Sequence, residues 1–213
     1  MYEPPAFRND DVVLQHGLIR AHPLGLLISN DASGITANAV PFELVESTGG
    51  QGLLRCHLAK ANGQWKNLDG QPVLVVFQGG DAYVSPQWYA AKREHGKVVP
   101  TWNYAMVQVR GQARVIADPD WLQAQVSRLT DAHEGAQVTG TPWRVSDAPA
   151  GYLESQLKGI VGVEIEIAAM TGKFKASQNR SAEDRAGVVD GLLARGRGDD
   201  AKMAALTKLK ASG

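Results

Sequence analysis

The stretch Asn103-Tyr-Ala-Met-Val-Gln-Val-Arg-Gly-Gln-Ala-Arg-Val-Ile116 decides the fold class. It alternates over a long span, through Tyr104, Met106, Val109 and Val115. Side chains of a strand point alternately to opposite faces, so this pattern predicts one long strand. Gly111 within it marks a bulge or a close approach of another backbone.

Working outward, Val73-Leu-Val-Val-Phe77 is an unbroken apolar run bounded by Gly79-Gly80, the mark of a buried strand, and Asp81–Pro86 is expected to pair back onto it. Leu24–Ser29 and Ile35–Leu44 flank a turn at Asn30–Gly34 and predict a hairpin. Gly49-Gly50 marks the next turn before the strand Leu53–Leu58. Val161–Ala168 alternates Val and Ile with Glu164 and Glu166, which predicts one solvated face. Lys60–Leu68 reads as a short helix, and Trp88–Gly96 as a loop or short helix.

Helix starts are also legible. Asp10 and Asp11 can cap a helix through about Arg20, with Val13, Leu14, Gly17 and Leu18 on its apolar side and Pro23 ending it. Asp118-Pro119-Asp120 starts a helix whose buried side is Leu122, Val126 and Leu129, ended by Gly135. Asp147-Ala-Pro149 starts another, Ser181-Ala-Glu-Asp184 a third with a capping-box pattern, and Asp199–Leu209 is a last, alanine-rich helix. With no alternating strand–helix–strand pattern, the expectation is a mainly β, α+β protein. It is an antiparallel barrel of six or seven strands with flanking helices. Residues 1–180 form the barrel domain and 181–213 a C-terminal helical appendage.

The chain has 213 residues, with 22 Lys+Arg balanced by 22 Asp+Glu. That balance recruits neither nucleic acid nor an anionic membrane by itself. No apolar run approaches the roughly 18–20 residues that span a bilayer. The single cysteine, Cys56, and a start without signal-peptide character point to a cytoplasmic protein. His16, His22, His57, His95 and His133 show no zinc-type spacing, so no metal is expected. No nucleophile elbow, phosphate-binding P-loop or dinucleotide fingerprint is present.

Four stretches set rings beside amides, hydroxyls and cations: His57–Trp65, Tyr83–Tyr89, Val99–Tyr104 and Lys173–Arg180. A ring gives a flat ligand a stacking face, and the polar groups orient it. At the first, Lys60, Asn62 and Gln64 beside a strand-to-helix corner suit a phosphate. An ordinary solvated turn with one packed Trp fits the same residues. In Thr101-Trp-Asn-Tyr104, strand alternation puts Trp102 and Tyr104 on one face, Thr101 and Asn103 on the other. An aromatic plug at a barrel end is the equal alternative. The two Lys, the Arg and the polar side chains of Lys173–Arg180 suit a phosphate or a heterocycle edge, or else a plain surface loop.

The chain resembles the PaiB-type FMN-binding negative transcriptional regulators. The matching pieces are Leu18-Ile-Arg-Ala-His-Pro-Leu24, His57-Leu-Ala-Lys-Ala-Asn62 with Gln64-Trp65, Ala82-Tyr-Val-Ser-Pro86 with Trp88-Tyr89, Val99-Pro-Thr-Trp-Asn-Tyr104, Leu129-Thr130 with His133-Glu134, and Ser177-Gln-Asn-Arg180 with Asp184-Arg185. The resemblance runs from Met1 to about Leu193. Cys56, Gly63 and Phe174 depart from it, standing where the family carries Gly, Pro and Trp.

The resemblance implies an FMN-binding split barrel acting as a homodimer, with the flavin in the subunit interface. His57, Lys60, Asn62, Gln64 and Trp65 would hold the phosphate end. Thr101, Trp102, Asn103, Gln178 and Asn179 would approach the ring or the dimer seam. It implies a regulator with flavin-based redox or sensing capacity. The alternatives are a flavin-dependent oxidoreductase without DNA binding, or a haem-binding split barrel with His57 or His133 at the iron. Direct DNA binding has little support in the residues. No helix-turn-helix pair is legible, and the best basic segment, Arg195 to Lys210, is interrupted by Asp199-Asp200.

Overall fold

The computed structural model describes residues 1–47, 51–136 and 140–209. The Gly49-Gly50 turn and Lys210, both named above, lie outside the described residues. The described chain holds eight strands and six α-helices. The strands are β1 (Arg8–Asn9), β2 (Leu24–Asp31), β3 (Gly34–Pro41), β4 (Glu43–Val45), β5 (Leu53–Ala59), β6 (Pro72–Val84), β7 (Thr101–Ile116) and β8 (Ile160–Lys175). The helices are α1 (Val12–Ala21), α2 (Ala90–Glu94), α3 (Pro119–Glu134), α4 (Ala150–Lys158), α5 (Ala182–Arg195) and α6 (Asp200–Leu209). The strand order is β3-β2-β6-β7-β8-β5-β4, with β1 on β8. The strands exceed the expected six or seven because β1 and β4 are only two and three residues long, too short to leave a period in the sequence.

The chain divides into two compact units. Unit 1 is residues 1–18, 78–107 and 171–213, and unit 2 is residues 19–77 and 108–170. The strands β6, β7 and β8 pass from one unit into the other, and α5 and α6 fall in unit 1.

Unit 2 contains the β2–β3 hairpin, in antiparallel register from Leu24 opposite Pro41 to Asp31 opposite Gly34. Its turn closes at Gly34, whose φ of 110° is a conformation that side chains with a Cβ resist. Along β2, Gly25 and Leu27 are buried while Leu24 and Leu26 are exposed, the alternation of a strand with one face in a core. Strand β5 runs antiparallel to β8, with Cys56 opposite Val163. Gly111 on β7 is needed for close approach: a Cβ there would lie 2.1 Å from the Glu166 carbonyl oxygen.

Three expectations are corrected. Val73–Phe77 and Asp81–Val84 are one continuous strand, not two paired ones. Gly79 and Gly80 make room instead of turning the chain: a Cβ on Gly79 would meet Leu18 at 3.2 Å, and one on Gly80 would meet Asp199 at 3.2 Å. Glu164 is 9 % exposed because Arg55 and Arg114 both bind it, so that end of the β8 face is not solvated. Helix α1, capped by Asp11 as its sequence predicts, turns a different side inward. Val13 and Leu14 are exposed, while Gln15, His16, Leu18 and Ile19 are buried, because the Gln15 amide reaches the Asn9 carbonyl.

The other caps are those the sequence announces. Asp118 accepts from the amides of Asp120 and Trp121, and Ser181 from that of Asp184. In unit 1, α5 and α6 pack over a cluster that includes Val84, Tyr89, Val188, Leu192 and Met203. Trp88 fills a notch in α5 where Cβ atoms on Gly187 or Gly191 would fall within 2.2 Å of it. Arg195 stacks 5.0 Å above that indole and binds Asp200.

Candidate functional site

In unit 2, β5 ends at Ala59 and the chain turns into a 3-10 helix over Gly63–Asn67. Asn62 caps that turn, its Oδ1 accepting from the Gln64 amide at 3.1 Å. The Lys60 ammonium is exposed and donates to the Lys158 carbonyl at 2.8 Å. No carboxylate pairs with it among the described residues. The Trp65 indole N–H donates back to the Lys60 carbonyl, which pins the loop. Gln64 is 7 % exposed, and both ends of its amide are used: it donates to Leu27 and Ser29 and accepts from Asn38. Gln64 therefore holds the corner onto β2 and β3. His57 sits on β5 with Nδ1 2.8 Å from the Gln125 Oε1 of α3. Beside Lys60 a cavity of ≈ 380 Å³ opens between the start of α3 and α4, walled by Leu122, Leu153 and Leu157. That lies at the lower end of small-ligand sites.

In unit 1, β7 begins at Thr101. Trp102 is 54 % exposed, with the Tyr83 ring edge-on at 6.0 Å. Asn103, on the opposite face of the strand, is fully buried and exchanges hydrogen bonds with Ser177, the one non-glycine residue of positive φ among those described. Gln178 spends its amide locally, accepting from the Ala176 amide and donating to the Phe174 carbonyl, while Asn179 is exposed. The structure thus gathers His57, Lys60, Asn62, Gln64 and Trp65 at one corner of unit 2. It gathers Thr101, Trp102, Asn103, Gln178 and Asn179 in unit 1.

The fold puts two cations of the Lys173–Arg180 stretch beside these residues. Lys175 donates to the Trp102 carbonyl at 2.8 Å and to the Thr101 hydroxyl. Lys173, two residues back on the same strand face, places its ammonium 5.4 Å from the Tyr2 ring centroid and 5.3 Å from that of Tyr104. The spacing of two Lys at i and i+2 on a strand was the available signal. Nothing local in the sequence says that Tyr2 and Phe7 reach them. Burial lowers the Lys175 pKa, and the charges of Lys173 and Arg180 lower it further.

The eight-stranded antiparallel sheet with its flanking helices is the fold of a flavin-binding split barrel. The chain belongs to the family described as "Putative FMN-binding domain", whose model matches residues 1–169, and a flavin is its cofactor. The chain is similar to the Emericella nidulans protein called Uncharacterized protein AN0679, at 36 % identity over 226 residues and 90 % of each chain. It is also similar to the Protease synthase and sporulation protein PAI 2 of Bacillus subtilis, at 29 % identity over 193 residues, covering 90 % of this chain and 89 % of that one. Among solved structures, the FAD and heme binding protein from Mycobacterium smegmatis shares the fold, with a TM-score of 0.58 at 16 % identity over 79 % of this chain and 73 % of that one. No helix among the described residues is long and apolar enough to cross a membrane.

The donors fit a flavin phosphate. Among the described residues no carboxylate neutralises the Lys60 charge and the Asn62 amide nitrogen has no partner, and a cavity adjoins Lys60. Phosphates are met by such charge-assisted donors.

Proposed function

We propose that the protein is an FMN-dependent redox or sensing protein that works as a cytoplasmic homodimer. The observation that carries this reading is the unneutralised Lys60 beside Asn62, within the residues that the FMN-binding family model matches. In this reading Lys60 and the Asn62 amide hold the phosphate, and His57, Gln64 and Trp65 keep the corner in shape. In unit 1, Trp102 offers a stacking face, Thr101 and Asn179 offer polar edges, and Asn103 and Gln178 fix the loop that presents them. FMN supplies the electron chemistry, while the protein orients its ring and sets its potential.

The homodimer is supported by the open face of unit 2. Leu24, Leu26 and Ile35 are 64 %, 44 % and 78 % exposed there, beside a groove of ≈ 550 Å³ lined by Ile28, Leu74 and Arg110. Contiguous apolar surface on a folded protein marks an interaction site.

A regulatory role is supported by the similarity to the PaiB-type proteins. Direct DNA contact through the C-terminal helices has no such support, because Arg195 is bound to Asp200 and Lys202 to Asp199. A transcriptional effect would be indirect.

The test is FMN binding by the full chain carrying Lys60→Ala and Asn62→Ala together. Each lost hydrogen bond to the phosphate should cost about 1–3 kcal/mol. Wild-type affinity in that variant overturns the assignment of the phosphate seat.

A further inference from the structure

Two stretches that the flavin reading leaves unused meet in unit 2. Ile19, Arg20 and Pro23 come from the end of α1 and the turn after it, and Leu129, Ala132 and His133 from the last turns of α3. With Phe42, Glu43 and Leu44, around the start of β4, they wall a cavity of ≈ 470 Å³, within the range of small-ligand sites. All of these residues belong to unit 2. The cavity is not the one beside Lys60, which opens at the start of α3 near Leu122. Leu122 and Leu129 stand about 10 Å apart along the helix axis.

Much of the wall is apolar: Ile19 and Phe42 are buried, Leu44 and Leu129 half-buried. Among them lies a carboxylate that is only half used. The Glu43 side chain is 16 % exposed, and its Oε1 accepts from Arg128 Nε at 2.6 Å. Its Oε2 is buried with no hydrogen-bond partner, the one carboxylate oxygen in that state among the described residues. A buried acceptor left without a donor costs free energy, more so when it is charged. The last torsion of a glutamate side chain is soft, so a donor in the cavity can draw that oxygen round. The two arginines on the wall are already engaged, Arg128 by Glu43 and Arg20 by Glu46. An anion would have to break one of those pairs. His133, the remaining titratable wall residue, is exposed to water. The C-terminal turn of α3 brings the negative end of a helix dipole, which favours a cation.

We infer that this cavity binds a small primary amine with an apolar body, its ammonium donating to Glu43 Oε2 and its hydrocarbon part lying against Phe42, Leu44 and Leu129. A hydrogen bond between two charged groups is among the stronger polar contacts, and the apolar walls favour a hydrocarbon over water. The cavity shares no residue with the Lys60 corner or the Trp102 face, so the inference goes beyond the flavin reading and does not rest on it. Binding alone is claimed, so no covalent or redox step is involved.

The experiment is calorimetric titration of the full chain, saturated with FMN, using phenethylamine, phenethyl alcohol and hydrocinnamate as probes. They carry the same apolar ring and end in an ammonium, a hydroxyl and a carboxylate. Phenethylamine should bind at least tenfold more tightly than either of the others. Glu43→Gln should weaken phenethylamine at least tenfold, with the FMN-to-protein ratio unchanged. Ala132→Trp, a change at an exposed wall position, should block the cavity and abolish phenethylamine binding while leaving Glu43 in place. No phenethylamine binding by the wild type, or equal binding of the alcohol or the carboxylate, overturns the inference. So does wild-type affinity for the amine in either variant. Should Glu43→Gln fail to fold, Ala132→Trp decides alone. Should the wild type fail to take FMN, the flavin reading falls by itself and the amine isotherm still decides this one.

Discussion

The imidazole Nδ1 of His57 lies 2.8 Å from the amide Oε1 of Gln125, a side chain with no exposure. The Gln125 amide nitrogen is buried without a partner among the described residues. Helix α3 thus carries on its core-facing side a buried amide that holds an imidazole on β5. With Nδ1 occupied, the other ring nitrogen of His57 is the one left for outside partners.

Replacing Gln125 with Met should show how little that pair is worth. The variant loses one hydrogen bond, worth about 0.5–1.5 kcal/mol net, and leaves the half-buried His57 nitrogen to water, but it also removes the unpaired amide nitrogen, whose burial costs about 1–3 kcal/mol. The expected net change in urea unfolding is under about 1 kcal/mol. A loss of about 3 kcal/mol or more would show that the amide nitrogen has a partner in solution.

Glu164 offers the opposite case. Arg55 Nε binds it at 2.7 Å and an Arg114 guanidinium nitrogen at 2.6 Å. Burial pushes its carboxyl upward, but the hydrogen bonds and charges of the two arginines outweigh that, and its pKa sits below the usual glutamate value. A depressed carboxyl stabilises the fold fully above its unfolded pKa of roughly 4.3 and loses that contribution as pH falls through the lowered folded value. Glu164→Gln should destabilise the protein at pH 7 by about 2–3 kcal/mol. That is less than the roughly 3–5 for a fully buried pair, since the largely exposed Arg114 can turn to water. The difference from wild type should shrink in acid below that window; a constant difference down to pH 2 contradicts the assignment.

Gly63 begins the 3-10 turn at the phosphate corner, and a Cβ there would meet nothing within 4 Å. The preceding Asn62 has φ −77° and ψ 108°, extended backbone that a following proline accepts. Proline at the first position of a helical turn loses no needed N–H. Gly63→Pro should therefore raise stability by about 0.4–1 kcal/mol, chiefly by restricting the unfolded chain. Thermal unfolding checks it; a lower melting temperature would show that the corner needs glycine.

Leu26→Asp addresses the open face of β2. The side chain is 44 % exposed, so the monomer should fold, with unfolding free energy within about 1 kcal/mol of wild type. On the proposed dimer, light scattering should report a dimer for the wild type and a monomer for the variant. A dimer in the variant would place the subunit seam elsewhere.

Local chemistry made much of the architecture legible. Asp11, Asp118 and Ser181 start the helices that their side chains cap, and the alternation from Asn103 to Ile116 is one strand. These signals are short-range: a cap spans three residues and a pleat two. Where long-range packing decides, local signals mislead. Gly79-Gly80 has the look of a turn, yet lies in mid-strand because Leu18 and Asp199 need the space. Glu164 has the look of a solvated residue, yet two arginines distant in sequence bury it.

The site divides in the same way. Residue types and their order were enough to place the chain among flavin-binding split barrels and to single out the stretches around Lys60, Trp102 and Gln178. Only the folded chain tells which side chains are spent and which are free. Gln64, Asn103 and Gln178 are tied into the scaffold, whereas Lys60 and Trp102 face outward. Likewise Tyr2 and Lys173, 171 positions apart, meet because β1 pairs with the far end of β8. A hydrogen-bond partner or a ring set by strand pairing has no period to read, so those contacts exist only once the sheet has formed.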